Sequence, residues 1–178
     1  MIRFNQFSLA RGVKPLFDAT SFTLNPGEKA GLVGANGAGK STLFSVLRGE
    51  LHADAGDVLL PPSWRIAHVA QETPAADKTA LEYALDGDTA LREIEARIGE
   101  AEAAHDGEAL ANAHAAFADA DGYTAPARAE ALLLGLGFTL AQTRERVASF
   151  SGGWRMRLNL AQALMCRSDL LLLDEPTN

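Results

Sequence analysis

Residues 34–41 read Gly34-Ala-Asn36-Gly37-Ala38-Gly39-Lys40-Ser41 and are followed by Thr42. They match the pattern G-x-x-x-x-G-K-[ST], in which glycines let the backbone wrap a phosphate so that successive N–H groups point at it. A lysine at this position reaches the β- and γ-phosphates, and the following hydroxyl can hold Mg²⁺. Thr42 adds a hydroxyl near the α-phosphate. The stretch therefore predicts a phosphate-binding loop made of Asn36, Gly37, Ala38, Gly39, Lys40, Ser41 and Thr42.

The sequence on both sides of this loop favours the same interpretation. Residues 28–33, Glu-Lys-Ala-Gly-Leu-Val, form a short apolar run that predicts a buried strand. Residues 40–48 carry apolar side chains at helical spacing, and Gly49 stands where a C-terminal cap belongs. Strand, glycine loop and helix is the order that phosphate binding needs, because the helix N-terminus offers free N–H donors.

Composition sets the broad class of the protein. The chain has 178 residues and a formal net charge of −7, which suits one α/β domain and gives no overall basic footprint for nucleic acid. It has no apolar run of membrane-spanning length and no hydrophobic signal core at its N-terminus. Its one cysteine, Cys166, is expected to be an inert buried thiol on a helix. These features predict a cytoplasmic protein.

The remaining strands and helices follow from local periodicity. Short strands are predicted over residues 2–9, 21–24, 57–60 and 65–69. Two amphipathic helices are then predicted, one with Leu91, Ile94, Ile98 and Ala101 on its apolar face and one with Leu110, Ala113 and Phe117. A turn at Asp106-Gly107 makes them an antiparallel hairpin, and a further helix is expected from Pro126 to Leu136. Ten acidic and two basic side chains between Asp86 and Gly122 indicate a solvated acidic face.

Two further segments carry chemistry. Residues 170–175, Leu-Leu-Leu-Leu-Asp174-Glu175, predict a buried strand that delivers two carboxylates at its C-terminal end. Asp174 can hold Mg²⁺ through water, and Glu175 can orient or deprotonate an attacking water. Ser151, Gly152 and Gly153 open a helix whose apolar residues are Trp154, Leu158, Ala161 and Met165. Ser151 is a good N-cap, and the glycines leave the N–H donors uncovered for an anion.

Together these motifs resemble the ABC ATPase superfamily. The phosphate loop resembles its Walker A motif, Ser151-Gly152-Gly153 its signature motif, and residues 170–175 its Walker B motif with a catalytic glutamate. Gln71 matches the Q-loop glutamine that contacts Mg²⁺ and the attacking water. The resemblance implies an α/β P-loop NTPase core with an N-terminal antiparallel β subdomain and a helical arm insertion. It also implies that ATP and Mg²⁺ are the cofactors, with Glu175 and Gln71 catalytic and Ser41, Gln71 and Asp174 around the metal.

Within the superfamily the chain most resembles the soluble ABC-F proteins, in particular their YheS-type branch. The sequence Ser-Gly-Gly-Trp-Arg at residues 151–155, the ending Asp-Glu-Pro-Thr-Asn and the helical insert at residues 78–136 carry this resemblance. ABC-F members have two ABC domains in one chain and no membrane domain, and characterised ones act on the ribosome near the tRNA exit site. Arg11 aligns with the aromatic residue that usually stacks on adenine, and a guanidinium can take that place.

The resemblance also predicts how the domain is divided. Residues 1–178 are expected to be a truncated first ABC domain, with the arm at 78–136, lacking the C-terminal part of that domain and the second ABC domain. The 178-residue chain alone is therefore expected to show little or no ATPase activity, because each site is split between two ABC domains.

Two other functions stay open from the sequence. One is the nucleotide-binding subunit of a membrane transporter, which would need a coupling groove where this chain has the acidic hairpin. The other is a nucleotide-gated interaction module, in which ATP binding rather than turnover is the signal. Binding to permease-containing membranes would favour the first, and turnover in a Glu175→Gln variant would distinguish the second from an ATPase.

Overall fold

The structure, a computed structural model, describes residues 1–69 and 76–174. It has α-helices and β-strands in a mixed α/β arrangement and divides into two compact units, Met1–Ile66 and Ala67–Asn178. Gln71 and Glu175 lie outside the described residues.

The first unit contains an antiparallel sheet and one helix. Its strands are β1 (Ile2–Arg11), β2 (Lys14–Leu24) and β3 (Ala55–Leu59), in the order β2-β1-β3, and its helix is α1 (Lys40–Leu47). Phe4 stacks on Phe22 across the β1–β2 ladder, with ring centroids 4.3 Å apart. The predicted strands over 2–9, 21–24 and 57–60 are thereby confirmed, as is the helix after the glycine loop.

β1 departs from strict alternation after Phe4. Ile2 and Phe4 are buried, but Asn5 and Gln6 are both exposed before the buried Phe7. Gln6 has a φ of 48°, and the register with β2 shifts between Phe4 and Phe7, as expected for a β-bulge. The extra residue returns Phe7 to the buried face of the strand.

The predicted strand over residues 28–33 is wrong for this structure. These residues have no strand structure, and Leu32 and Val33 are 41% and 93% exposed. A strand needs a neighbouring strand that forms hydrogen bonds with its N–H and C=O groups. The two sheets of the described chain, β2-β1-β3 and β4-β5, do not include this segment. Apolar residues alone did not make it a strand.

The second unit is mainly helical. Its helices are α2 (Ala80–Leu85), α3 (Thr89–Ala103), α4 (Gly107–Asp119), α5 (Ala125–Gly135) and α6 (Gly152–Met165). A two-stranded sheet pairs β4 (Ile66–Val69) with β5 (Leu170–Leu173). The core lies between α2, α5 and α6 and includes Leu133, Val147 and Leu158, all completely buried.

The predicted helical hairpin is present as α3 and α4. Asp88 and Asp106 cap the two helices by accepting from backbone N–H groups of their first turns. Leu91 and Ala101 of α3 and Ala113 of α4 are buried, whereas Glu93, Glu100, Glu102 and Glu108 are exposed. These four acidic side chains therefore lie on a solvated face, as the sequence indicates, whereas Asp88 is buried at its capping position.

α2 was not predicted, and it contacts α6 through polar groups. The Tyr83 hydroxyl donates to Asn159 Oδ1 at 2.7 Å, and Gln162 Nε2 donates to the Tyr83 carbonyl at 3.2 Å. Burial raises the pKa of the Tyr83 phenol, and the charge of Asp86 adds to that rise. The sequence signal for this helix is the Thr79 cap, whose side chain accepts from the Glu82 N–H.

Gly87, between α2 and α3, allows the close approach to α6. A Cβ atom at Gly87 would lie 1.8 Å from the carbonyl oxygen of Gln162, which is backbone and cannot rotate away. We expect Gly87→Ala to lower the free energy of unfolding by about 1–3 kcal/mol, because overpacking forces the helices apart.

Chemical denaturation followed by circular dichroism measures this effect. The matched control is Gly99→Ala, since Gly99 is exposed inside α3 and a Cβ there meets no atom within 4 Å. That control should raise stability by about 0.5–1 kcal/mol, the usual gain of alanine over glycine in a helix. Equal unfolding midpoints for Gly87→Ala and the unmodified chain would contradict the close packing.

Candidate functional site

The glycine loop has the backbone conformation that its sequence predicts. Gly37 and Gly39 have φ values of 75° and 104°, in the left-handed region that side chains with a Cβ rarely adopt. The Ala38 N–H donates to the Ala35 carbonyl at 3.1 Å, closing a turn inside the loop. Gly39 is the N-cap of α1, so the loop ends at the start of the helix.

Lys40 crosses the loop that precedes it. Its Nζ donates to the Gly34 carbonyl at 2.8 Å and lies 3.4 Å from the Ala35 carbonyl. Ser41 is exposed in the first turn of α1, and Thr42 is half-buried beside it. A cationic side chain, the exposed Ser41 hydroxyl and the N–H groups of a helix N-terminus therefore lie within one short segment, which is the chemistry of an anion site.

The β1–β2 hairpin contacts this loop. A Cβ atom at Gly39 would lie 3.2 Å from Leu16 Cβ and 3.4 Å from Phe17 Cε2, so β2 packs against the last residue of the loop. Lys14 Nζ, on the same strand, donates to the Gly37 carbonyl at 3.2 Å. Arg11, the predicted base-stacking residue, is exposed at the end of β1. Sequence reasoning did not single out Lys14, whose contact lies 23 residues away along the chain.

The second glycine motif lies at the N-terminus of α6. Ser151 is the N-cap residue, with φ −65° and ψ 164°, but its side chain makes no capping hydrogen bond, which corrects that part of the expectation. Ser151, Gly152 and Gly153 are all exposed, and a Cβ on either glycine would meet no atom within 4 Å. The helix end is therefore open to an incoming anionic group.

The body of α6 is held by its apolar side. Leu158, Ala161 and Met165 are buried, as predicted. Trp154 is half-buried, and its ring centroid lies 4.8 Å from that of Phe138. The guanidinium carbon of Arg157 lies 4.6 Å from the centroid of the Trp154 ring. Cys166 is half-buried and lies one residue beyond the helix, so its predicted buried position on a helix is wrong.

Asp174 follows β5 and is 6% exposed. The strand is less buried than the sequence suggests, since Leu172 is buried but Leu173 is 40% exposed. A strand followed by a buried carboxylate is nevertheless the predicted arrangement. Glu175 and Gln71 fall outside the described residues.

The predicted site residues thus fall in both units. Arg11 and residues 36–42 belong to the first unit, whereas Ser151, Gly152, Gly153 and Asp174 belong to the second.

Comparison with known families gives a match over most of the chain. The model of the family described as "ABC transporter" matches residues 17–178. No helix in the described parts of the chain is long and apolar enough to cross a membrane.

Several curated proteins are similar over the whole chain. It is 53% identical to the probable ATP-binding protein YheS of Escherichia coli (strain K12) over 178 residues, all of this chain and 28% of that protein. It is 49% identical to the protein of the same name from Haemophilus influenzae. It is 39% identical to human ATP-binding cassette sub-family F member 3, covering 99% of this chain and 25% of that protein. The chain therefore spans about a quarter of the length of these relatives.

Solved structures show a related fold. An ABC transporter ATP-binding protein from Pyrococcus furiosus superposes with a TM-score of 0.70 at 15% identity, over 99% of this chain and 76% of that one. An inward-facing metal-chelate type ABC transporter superposes with a TM-score of 0.64 at 22% identity, over 98% of this chain and 59% of that one. These two similarities support the expected fold and nothing finer.

Proposed function

We propose that this chain, which belongs to the ABC ATPase superfamily and to its ABC-F subfamily, binds ATP with Mg²⁺. In the full-length protein it takes part in ATP hydrolysis. The observation that carries the proposal is the phosphate loop, in which left-handed Gly37 and Gly39 lead into α1 and Lys40 crosses the loop. The names of these relatives, which describe ATP-binding proteins, support the choice of nucleotide.

Each part of the loop has a role in this proposal. Backbone N–H groups of residues 36–42 bind the phosphates, and Lys40 leaves the Gly34 carbonyl to neutralise the β- and γ-phosphates. Thr42 contacts the α-phosphate, and the Arg11 guanidinium stacks on the adenine face.

The chain also offers oxygen ligands of the kind that Mg²⁺ prefers. The exposed Ser41 hydroxyl follows Lys40 directly, and Asp174 supplies a carboxylate after β5. Gln71 completes the proposed set. A bound Mg²⁺ would neutralise part of the phosphate charge, while Ser41 orients the terminal phosphates relative to the loop.

Hydrolysis requires groups beyond the phosphate loop. We assign Glu175 as the general base and Gln71 as the residue that orients the attacking water. The open N-terminus of α6, with Ser151, Gly152 and Gly153 exposed, is suited to meet the γ-phosphate held by a second ABC domain. The proposed enzyme is therefore complete only when two ABC domains close on the nucleotides.

The proposed cellular partner is the ribosome with its tRNA, and the proposed location is the cytoplasm, because the chain belongs to the ABC-F subfamily. Co-sedimentation of the full-length Glu175→Gln protein with ribosomes in the presence of ATP tests this partner. We expect ribosome binding that is lost when Lys40→Ala is added. Binding instead to membranes that carry a permease would favour a transporter subunit.

Nucleotide binding has its own test in calorimetric titration with ATP-Mg²⁺, ADP and AMP. We expect ATP to bind most tightly and AMP most weakly, because the loop and Lys40 recognise the β- and γ-phosphates rather than the nucleoside. Equal affinity for ATP and AMP would contradict the assigned role of the loop.

A further inference from the structure

The end of the β1–β2 hairpin carries two exposed cations beside the phosphate loop. Arg11 and Lys14 face each other as paired residues of the two strands. Lys14 Nζ donates to the carbonyl of Gly37, in the middle of the loop, at 3.2 Å. A second contact lies on the same strand, where Leu16 and Phe17 pack against Gly39. β2 therefore contacts the loop at both of its left-handed glycines.

Lys14 carries a positive charge in addition to its hydrogen-bond donors. An ammonium group has three donors, and the Gly37 carbonyl takes one of them. Across residues 1–69 and 76–174, neither Lys14 nor Arg11 has an ion pair with a carboxylate. Lys14 thus adds a positive charge to the loop that also holds Lys40. A polyanionic ligand bound in this loop is attracted by both charges.

We propose that Lys14 is a further phosphate-binding residue of the nucleotide site, and that its bond to Gly37 positions the hairpin, with Arg11, against the bound nucleotide. The inference rests on the proposed binding of ATP. The Gly37 carbonyl takes one of the three donors of the ammonium group, and the flexible four-carbon stem lets the other two turn toward phosphates held in the loop while that bond is kept. Its contribution is electrostatic and increases with the number of phosphates on the ligand.

Three variants of the full-length protein separate the effect of the Lys14 charge from the effect of its hydrogen bond to the Gly37 carbonyl. Lys14→Arg keeps the charge and a donor, Lys14→Gln keeps only a donor that can bond Gly37, and Lys14→Met removes both. Lys29→Ala is the matched control, since Lys29 is an exposed lysine on the segment before the loop. The measurements are ATP and AMP dissociation constants, the salt dependence of ATP binding, and the unfolding midpoint of each variant.

If the proposal is right, Lys14→Gln and Lys14→Met weaken ATP binding by about three- to tenfold, in the range of partly exposed charged hydrogen bonds. Their affinity for ATP also falls less steeply with salt, because a phosphate-binding cation is missing. AMP binding changes less than ATP binding, and Lys14→Arg and Lys29→Ala stay close to the unmodified protein.

Two results would overturn the inference while leaving the proposed function intact. One is ATP binding by Lys14→Gln with unchanged affinity and salt dependence. The other is equal weakening of ATP and AMP binding together with a lowered unfolding midpoint, which is the signature of a purely structural contact. Absence of ATP binding in the unmodified protein would instead contradict the proposed function itself.

Discussion

Replacing Lys40 by alanine is expected to weaken ATP binding by at least about 1.5–3 kcal/mol, the range for a hydrogen bond to a charged group. Lys40 Nζ bonds the Gly34 carbonyl at 2.8 Å, so its ammonium group is held across the loop. The substitution removes that charge from the most anionic part of the ligand, while the backbone N–H donors remain. Isothermal calorimetry with ATP-Mg²⁺ measures the difference.

Two controls accompany this measurement. Lys29→Ala removes an exposed lysine 11 positions before Lys40 and is expected to bind ATP as the unmodified protein does. Circular dichroism establishes that the Lys40 variant is folded, since α1 keeps its buried residues Leu43, Val46 and Leu47. If folded Lys40→Ala and the unmodified protein bind ATP equally well, the loop is not the nucleotide site.

Glu175→Gln in the full-length protein is expected to bind ATP normally and to hydrolyse it about 10²–10⁴-fold more slowly, the usual cost of losing a general base. The amide keeps the size of the side chain and loses its basicity. Steady-state phosphate release measures the turnover, and calorimetry measures the binding.

Loss of a carboxylate elsewhere in the chain should not cause such a loss of turnover. Glu108→Gln is the matched control, because Glu108 is an exposed glutamate in the first turn of α4. It should hydrolyse ATP at the unmodified rate, and Lys40→Ala reports contaminating activity. Hydrolysis by Glu175→Gln at the unmodified rate would remove Glu175 from the catalytic role and favour a different base.

Elements with local causes were predictable from the sequence. The glycines of the phosphate loop occupy the two left-handed positions that its turn requires, and α1 begins at the predicted Lys40. The α3–α4 hairpin follows from apolar spacing and from the turn at Asp106-Gly107, and the structure adds an aspartate cap to each helix. In each case residues that are close together in the sequence determine the conformation.

Elements that need a distant partner were not predictable in the same way. Residues 28–33 have a strand-like composition, but a strand forms only beside another strand, and the pairing in the described chain excludes this segment. Composition predicts a preference for this segment, and the strands available for pairing decide the outcome.

The sequence by itself determined the phosphate loop, the family and the helical hairpin, because these depend on residue types at short, fixed spacings. Only the tertiary structure decided that Gly87 lies against the Gln162 carbonyl and that Lys14 contacts the loop at Gly37. These contacts join residues 75 and 23 positions apart along the chain. Their geometry depends on how the strands and helices pack, since side-chain reach and backbone approach are set by packing rather than by local conformational preference.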